Sequence, residues 1–213
     1  MNTIKISESG LDKAIKEASL TIKEGGLVAF PTETFYGIGA RYDDGHVLKR
    51  LYELKKRPHD NAIPLIIGKV ENLSLLTSLV TPFAAKLIER FWPGPLTLLF
   101  RALVNISELI TAGTGKIAVR VPGKSFALDL ARAIGMPVTS TSANISGMPA
   151  SDNPGDVARI LGSGLDLLID GGKTPGGKPS TIVDVTHEKI EIVRQGIIAD
   201  DKILRAAGQH AIQ

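Results

Sequence analysis

The chain has 213 residues, 43% of them hydrophobic and 22% charged, with 25 lysines and arginines against 22 aspartates and glutamates. That length and composition suit one globular domain and exclude intrinsic disorder, and a net charge of +3 permits a local basic patch without demanding one. The absence of cysteine excludes disulfides, a thiolate nucleophile and thiolate-held zinc or iron–sulfur. Four histidines, His46, His59, His187 and His210, are too scattered for a local metal motif and read as surface residues. The first residues, Met1 to Ile6, lack the apolar core of a secretion signal, and no apolar run reaches membrane-spanning length, so a cytoplasmic protein with no membrane association is expected.

Leu11, Ala14, Ile15, Ala18 and Ile22 fall on one face of a helix that Gly25 and Gly26 end. Leu27 to Phe30 is an apolar run of buried-strand type, stopped by Pro31. Thr32 to Gly39 then reads as a polar turn, whose hydroxyls, single carboxylate and close-approach glycines, Gly37 and Gly39, suit a small polar or anionic ligand. Asp43-Asp44 opens a helix with the stripe Val47, Leu48, Leu51, Tyr52 and Leu54, and Pro58 disfavours helix at Arg57, leaving Lys55-Lys56-Arg57 at the helix exit. A strand over 64–67, a helix over 81–91 with Thr81 as cap and Pro82 in its first turn, and a strand over 95–101 follow. The alternation continues with a strand over 117–122, a helix over 125–134, a strand over 137–140, a helix over 154–161, strands over 165–169, 181–185 and 190–193, and a short helix over 200–206. This predicts an α/β protein: a single domain with a twisted mixed or parallel central sheet flanked by helices.

Four other segments carry chemistry. Lys55-Lys56-Arg57 offers cations for a polyphosphate, although the helix macrodipole alone favours cations at a helix C-terminus. Arg120 lies inside an apolar strand pattern, where its charge needs a partner, either a substrate carboxylate or an internal Asp or Glu. Ser140 to Gly147 ends a strand with hydroxyls and an amide, at the kind of strand end where open α/β sheets collect ligands. Gly172 to Pro179 nearly spells a phosphate-binding P-loop, but proline stands where the magnesium-contacting hydroxyl belongs and a strand pattern follows, so it reads as a loop able to close over a ligand. Neither a nucleophile elbow nor the third glycine of a dinucleotide fingerprint is present.

In combination and order these segments resemble the YrdC-like family of threonylcarbamoyl-AMP synthases, which begin threonylcarbamoylation of the adenosine beside the tRNA anticodon. Pro31 to Gly39 is similar to the family's opening motif, Lys55-Lys56-Arg57-Pro58 to its K-x-R signature, Ala118 to Pro122 to its central strand, and Ser142-Ala143-Asn144 to its S-x-N signature. Ser180 to Asp184 and Val193 to Gly196 complete the pattern, which spans about residues 10–200 of one domain over 1–213. The resemblance is to the short type, without a further C-terminal domain. It implies a nucleotidyltransferase that makes threonylcarbamoyl-AMP and pyrophosphate from L-threonine, bicarbonate and ATP, with Mg2+ on the phosphates and a concave basic cavity. By similarity Thr34, Arg120, Ser140 and Ser180 hold threonine, with Arg120 on its carboxylate. Lys55, Arg57, Asn61, Ser142, Asn144, Ser151 and Arg194 hold ATP, and Lys55, Arg57, Ser142 and Asn144 carry the chemistry. Two departures touch this set: Asn61 opens a run that is two residues longer than the family's and lacks its histidine, and Ser151 stands one residue beyond its usual place, behind Ala150. Implied partners are the downstream tRNA threonylcarbamoyl-transferase proteins and a weak tRNA contact. The rival readings are an RNA-binding module, an inactive paralogue of the same fold, and the carbamoyl-transfer module of larger hydrogenase-maturation proteins.

Overall fold

The computed structural model describes residues 1–187 and 189–208, so His210 lies outside the described residues. The chain opens with β1 (Asn2–Lys5) and the one-turn α1 (Ile6–Ser9), neither signalled by periodicity, and continues into α2 (Leu11–Lys23), which buries Ala14, Ala18 and Ile22 as its spacing predicts. β2 (Val28–Pro31) and β3 (Tyr36–Gly39) form an antiparallel hairpin in which Val28 faces Gly39 and Pro31 faces Tyr36. The polar turn is therefore confined to Thr32–Phe35, and the segment expected to continue it is a fully buried strand.

α3 (Gly45–Lys55) starts where Asp44 Oδ1 accepts from the amides of His46 and Val47 at 2.9 and 3.2 Å. It ends at Lys56 in the left-handed region, with the Arg57 amide donating to Tyr52 O at 2.9 Å, so the chain turns sharply after Lys55. β4 (Leu65–Ile66) is followed by a 3-10 stretch over Val70–Leu75 and by α4 (Pro82–Phe91), capped by Thr81 Oγ1 on the Ala84 amide at 3.2 Å. β5 (Leu96–Arg101), the one-turn α5 (Glu108–Thr111), β6 (Lys116–Arg120), α6 (Phe126–Ile134), β7 (Val138–Thr139) and β8 (Thr141–Ser142) come next. α7 (Pro154–Leu161), β9 (Leu167–Asp170), β10 (Thr181–Asp184), β11 (Glu191–Arg194) and α8 (Asp200–Ala207) complete the order. None of the helices of the described residues is long and apolar enough to cross a membrane.

The strands form two ladders, ordered β1-β9-β2-β3-β8 and β11-β10-β5-β6-β4-β7, instead of the one central sheet that the alternation suggests. Both mix parallel and antiparallel pairs; β9 runs parallel to β1 and β2, while β5 is parallel to β10 and antiparallel to β6. Residues 138–142 belong to both ladders: β7 pairs with β4, and β8 pairs with β3. Between them, the Thr139 amide donates to Ala40 O at 3.0 Å and the Ser140 amide to Pro64 O at 2.8 Å. Ser140 thus sits where one strand leaves one ladder and joins the other.

Apolar side chains on successive strand positions feed two cores, which is why the strands read as continuous apolar runs. Val28, Phe30, Leu167 and Ile169 pack against α2 and α6, whereas Leu27, Ala29, Tyr36 and Ile38 join the larger core under α3 and α4. Gly39 belongs to this packing and not to a ligand contact: a Cβ there would stand 2.6 Å from Phe30 Cε1 and 3.2 Å from both Ile22 Cδ1 and Val138 Cγ1. Phe30 is fully buried and has nowhere to yield. Gly39→Ala is expected to lower stability by ~1–3 kcal/mol through overpacking, read from denaturant unfolding midpoints at unchanged slope.

Candidate active site

A cavity of about 500 Å3 opens where residues 138–142 cross between the ladders. The hairpin turn brings Thr32 and Thr34 to one wall, the crossing strand brings Ser140 and Ser142, and the entry to β10 brings Ser180. Leu65, Ile66 and Ile182 supply apolar lining, and Gly37 lies beside Ser140, where a Cβ would come only into ordinary contact with Ser140 Oγ, at 3.4 Å.

Three guanidiniums, those of Arg57, Arg120 and Arg194, line this cavity, and no aspartate or glutamate does among the described residues. Arg57 is braced by the carbonyls of Asn61, at 2.9 Å from its Nε, and of Ala62. Arg194 donates to Ser180 O at 2.8 Å and to Ser180 Oγ at 3.1 Å, and that hydroxyl also meets Thr97 Oγ1 at 2.9 Å. Burial, and then the charge of Arg120, push the Arg194 guanidinium below its ordinary range, so the two cations are close enough to repel. Arg120 has an internal carboxylate partner: its Nη1 donates to Glu33 Oε1, with the two side chains 12% and 19% exposed. Of the two partners that the strand pattern left open, the internal carboxylate is the one present, and Arg120 still lines the cavity.

Lys55 is 1% exposed and lies behind the cavity wall. Its Nζ donates to Ser142 O at 2.5 Å, Asn144 O at 2.7 Å and Asn144 Oδ1 at 3.0 Å, so the three ammonium donors meet three oxygens of the S-x-N segment. Asn144 Oδ1 also accepts from Ser142 Oγ at 2.7 Å, and its amide nitrogen donates to Met148 O. The K-x-R and S-x-N signatures, some ninety residues apart in sequence, are one hydrogen-bonded unit. Burial, followed by the charge of Arg57, pushes the Lys55 ammonium down to about 7. Lys56, between Lys55 and Arg57, is exposed.

The cavity gathers Thr34, Arg120, Ser140 and Ser180 of the threonine set, and Arg57, Ser142, Asn144 and Arg194 of the nucleotide set. Asn61 and Ser151 do not line it. Asn61 supports Arg57 and the Tyr52 hydroxyl through its carbonyl, and Ser151 Oγ is spent on the backbone of Asn153, at 3.0 and 3.1 Å, while Ala150 faces the cavity. Thr97 was not foreseen, because threonine fits a strand without any functional demand. The near P-loop is an irregular segment over 171–180 that leads into a strand and not a helix, and its Gly177, Pro179 and Ser180 line the cavity. The Gly176 amide holds Thr34 O at 2.7 Å and Gly172 O takes the Tyr36 hydroxyl at 2.7 Å. His46, His59 and His187 are exposed, as expected.

Because the folded value of Lys55 lies below its ordinary 10.5, the unfolded chain holds a proton between about pH 7 and 10.5 that the folded chain has released. Stability should therefore rise with pH across that window, by at most ~1.4 kcal/mol per pH unit, and the penalty of the buried charge is complete below it. Denaturant unfolding without nucleotide from pH 7 to 9.5 checks this, and Lys55→Met should flatten the slope. A slope that persists in Lys55→Met assigns the titration to another group.

The Sua5/YciO/YrdC family model, described as "Telomere recombination", matches residues 20–196. Over 206 residues the chain is 37% identical to the Pyrococcus abyssi (strain GE5 / Orsay) protein named threonylcarbamoyl-AMP synthase, covering 97% of this chain and 61% of that one. A Bacillus subtilis (strain 168) protein of the same name is 36% identical over 198 residues, covering 92% of this chain and 57% of its own length. A solved structure of P. abyssi Sua5 complexed with L-threonine matches with a TM-score of 0.90 at 36% identity, over 98% of this chain and 61% of that chain. The chain therefore spans about three fifths of the length of these curated relatives. With the family model matched across most of its length and the family's signatures joined in one cavity, the chain belongs to the Sua5/YciO/YrdC family.

Proposed function

We propose that this chain is a nucleotidyltransferase of the threonylcarbamoyl-AMP synthase type. L-Threonine and bicarbonate condense to the N-carboxylate with loss of water, a carbamate oxygen attacks the α-phosphorus of ATP, and the bond to the β-phosphate oxygen breaks to release pyrophosphate. The observation that carries the reading is the convergence of three guanidiniums on a hydroxyl-walled cavity with no acidic residue in its lining. Such a site favours a polyanion at one end and a small polar acid at the other.

The chemistry needs no covalent nucleophile, and the hydroxyls present have no histidine beside them to activate one. In this reading Arg57 and Arg194 neutralise the charge that moves onto the leaving phosphates, and Ser142 and Asn144 hold the nucleotide. Lys55 acts from behind, fixing the S-x-N segment without touching the cavity. Arg120, Thr34, Ser140 and Ser180 hold the threonine end, with the apolar lining against its methyl. Bound ATP offers its anion to cations that otherwise repel, a gain larger at the transition state, where the phosphate charge shifts.

Among the described residues no three His, Cys, Asp or Glu side chains gather into a metal site, and the lining offers only hydroxyl and amide oxygens. These residues fit Mg2+ carried on the triphosphate, with the Ser142 hydroxyl beside it, where it would screen the phosphate oxygens. The product, a mixed anhydride, suits handover to a tRNA-modifying transferase in the cytoplasm. An RNA-binding role is less well served, since the lining aromatics are Phe35 and the buried Tyr36, which offer no row of stacking faces.

The full chain should release pyrophosphate from ATP only when L-threonine and bicarbonate are both present; equal release without threonine would sink the proposal. Arg57→Ala should lower turnover at least ~10²-fold, while Lys56→Ala, at an exposed position, should stay near wild type. Equal losses in the two variants would point to a diffuse basic patch.

A further inference from the structure

Glu33 lies between two threonines that line the cavity, yet its own side chain is not part of the lining. Its Oε1 accepts from Arg120 Nη1 and from the Gly123 amide at 3.4 Å, joining the hairpin turn to the end of β6 and to the loop that leads into α6. Its Oε2 is buried with no hydrogen-bond partner among the described residues. A bidentate pair would add a second charge-assisted bond and satisfy the second oxygen, and this pair forgoes both. Here one oxygen grips one nitrogen, and the hydrogen bonds of the described residues leave Arg120 Nε and Nη2 uncommitted.

The turn that carries Glu33 is stiff. Thr32 Oγ1 accepts from the Thr34 amide at 3.1 Å and donates to Phe35 O at 2.7 Å, so the backbone on both sides of Glu33 is fixed. Arg120 is held at its other end by β6, whose pairing with β4 continues as its carbonyl accepts from the Ile67 amide at 3.0 Å. A guanidinium on a flexible stem, anchored at Cα by a strand and at one Nη by a rigid turn, has its remaining donors aimed before any ligand arrives.

Resting on the synthase reading, we propose that Glu33 is the positioning residue for the amino-acid end of the site, holding Arg120 by one Nη so that the rest of its fork takes the carboxylate of L-threonine. Reach, more than charge, is then what Glu33 supplies. The amide of Glu33→Gln keeps an oxygen at the same distance, whereas Glu33→Asp keeps the charge and withdraws it by one methylene.

Calorimetric titration of the full chain with L-threonine and with ATP, separately, tests this. Glu33→Gln should stay within about threefold of wild type for threonine, and Glu33→Asp and Glu33→Ala should weaken it by at least about tenfold, with ATP affinity kept within about twofold in all three. In an Arg120→Gln background, Glu33→Gln and Glu33→Asp should differ little, because the residue acts through Arg120. Wild-type threonine affinity in Glu33→Asp overturns the assignment, as does an equal loss of threonine and ATP affinity, which marks a general brace; Glu33→Asp decides the matter if Glu33→Ala does not fold. A wild-type chain that binds threonine but releases no pyrophosphate with bicarbonate and ATP defeats the synthase reading while these titrations still judge Glu33. A wild-type chain that binds no threonine overturns both.

Discussion

The cavity depends on one buried ammonium. Lys55 stands at the last turn of α3 and is fixed at both of its ends: its Nζ holds Ser142 O, Asn144 O and Asn144 Oδ1, and its carbonyl accepts from the Ser146 amide at 2.8 Å. A lysine without a carboxylate beside it is costly to bury, and three well-placed oxygens are the least that makes it tolerable. Those oxygens come from Ser142, the last residue of β8, and from Asn144 just beyond it, so the bond fastens a helix end to the strand that crosses between the two ladders. Once that joint is made, Ser142 is left facing the cavity and Arg57, two residues further on, emerges into it.

The rest of the architecture serves the same crossing. Ser140 uses its amide on Pro64 while its neighbours pair with different ladders, so the strand bends there and its hydroxyl is turned into the space between them. The β2–β3 hairpin arrives from the other side and presents Thr32 and Thr34, with Gly37 beside Ser140. β10 enters beside β5 and brings Ser180 against Thr97, which gives Arg194 its two acceptors. Each hydroxyl reaches the cavity from a strand end or a tight turn, where backbone geometry is set by pairing on at least one side. The site is held by the sheets, and the irregular 171–180 segment adds Gly177, Pro179 and Ser180 to its lining.

Elements with their own local signal were legible in the sequence. α2, α3, α4, α6 and α7 carry amphipathic spacing, and Asp44 and Thr81 are helix-start signals that the structure uses as read. β3 was misread because two glycines and a tyrosine look like a turn; its strand character comes from pairing with β2 and β8 and from burial, which are not local properties. β1 was missed for the same reason, since four exposed or half-exposed residues become a strand only by lying beside β9. The division into two ladders is a matter of which edges meet, and the alternation of elements carries no such information. At the site, the ordered motifs, read through their resemblance to the family, were enough to name Thr34, Arg57, Arg120, Ser140, Ser142, Asn144, Ser180 and Arg194, which share one cavity. What they could not tell was which groups face outward: Lys55 turns inward, Asn61 contributes a carbonyl, and Ser151 yields its place to Ala150.

The charge pattern accounts for the differing treatment of the arginines. Arg57 and Arg194 are paired only with neutral oxygens, so each keeps a full charge for an anion to meet, and Arg194 feels the repulsion of Arg120 besides. Arg120 alone has a carboxylate, supplied from behind the wall. A polyphosphate carries several charges and can satisfy unneutralised cations, whereas an amino-acid carboxylate carries one and gains more from a donor fork already held in place than from additional charge. Under the proposed function, with Glu33 on one nitrogen, Arg120 would act as a direction-specific receptor of lower net charge, dividing the cavity into an end that draws a polyanion by field and an end that recognises a single carboxylate by geometry.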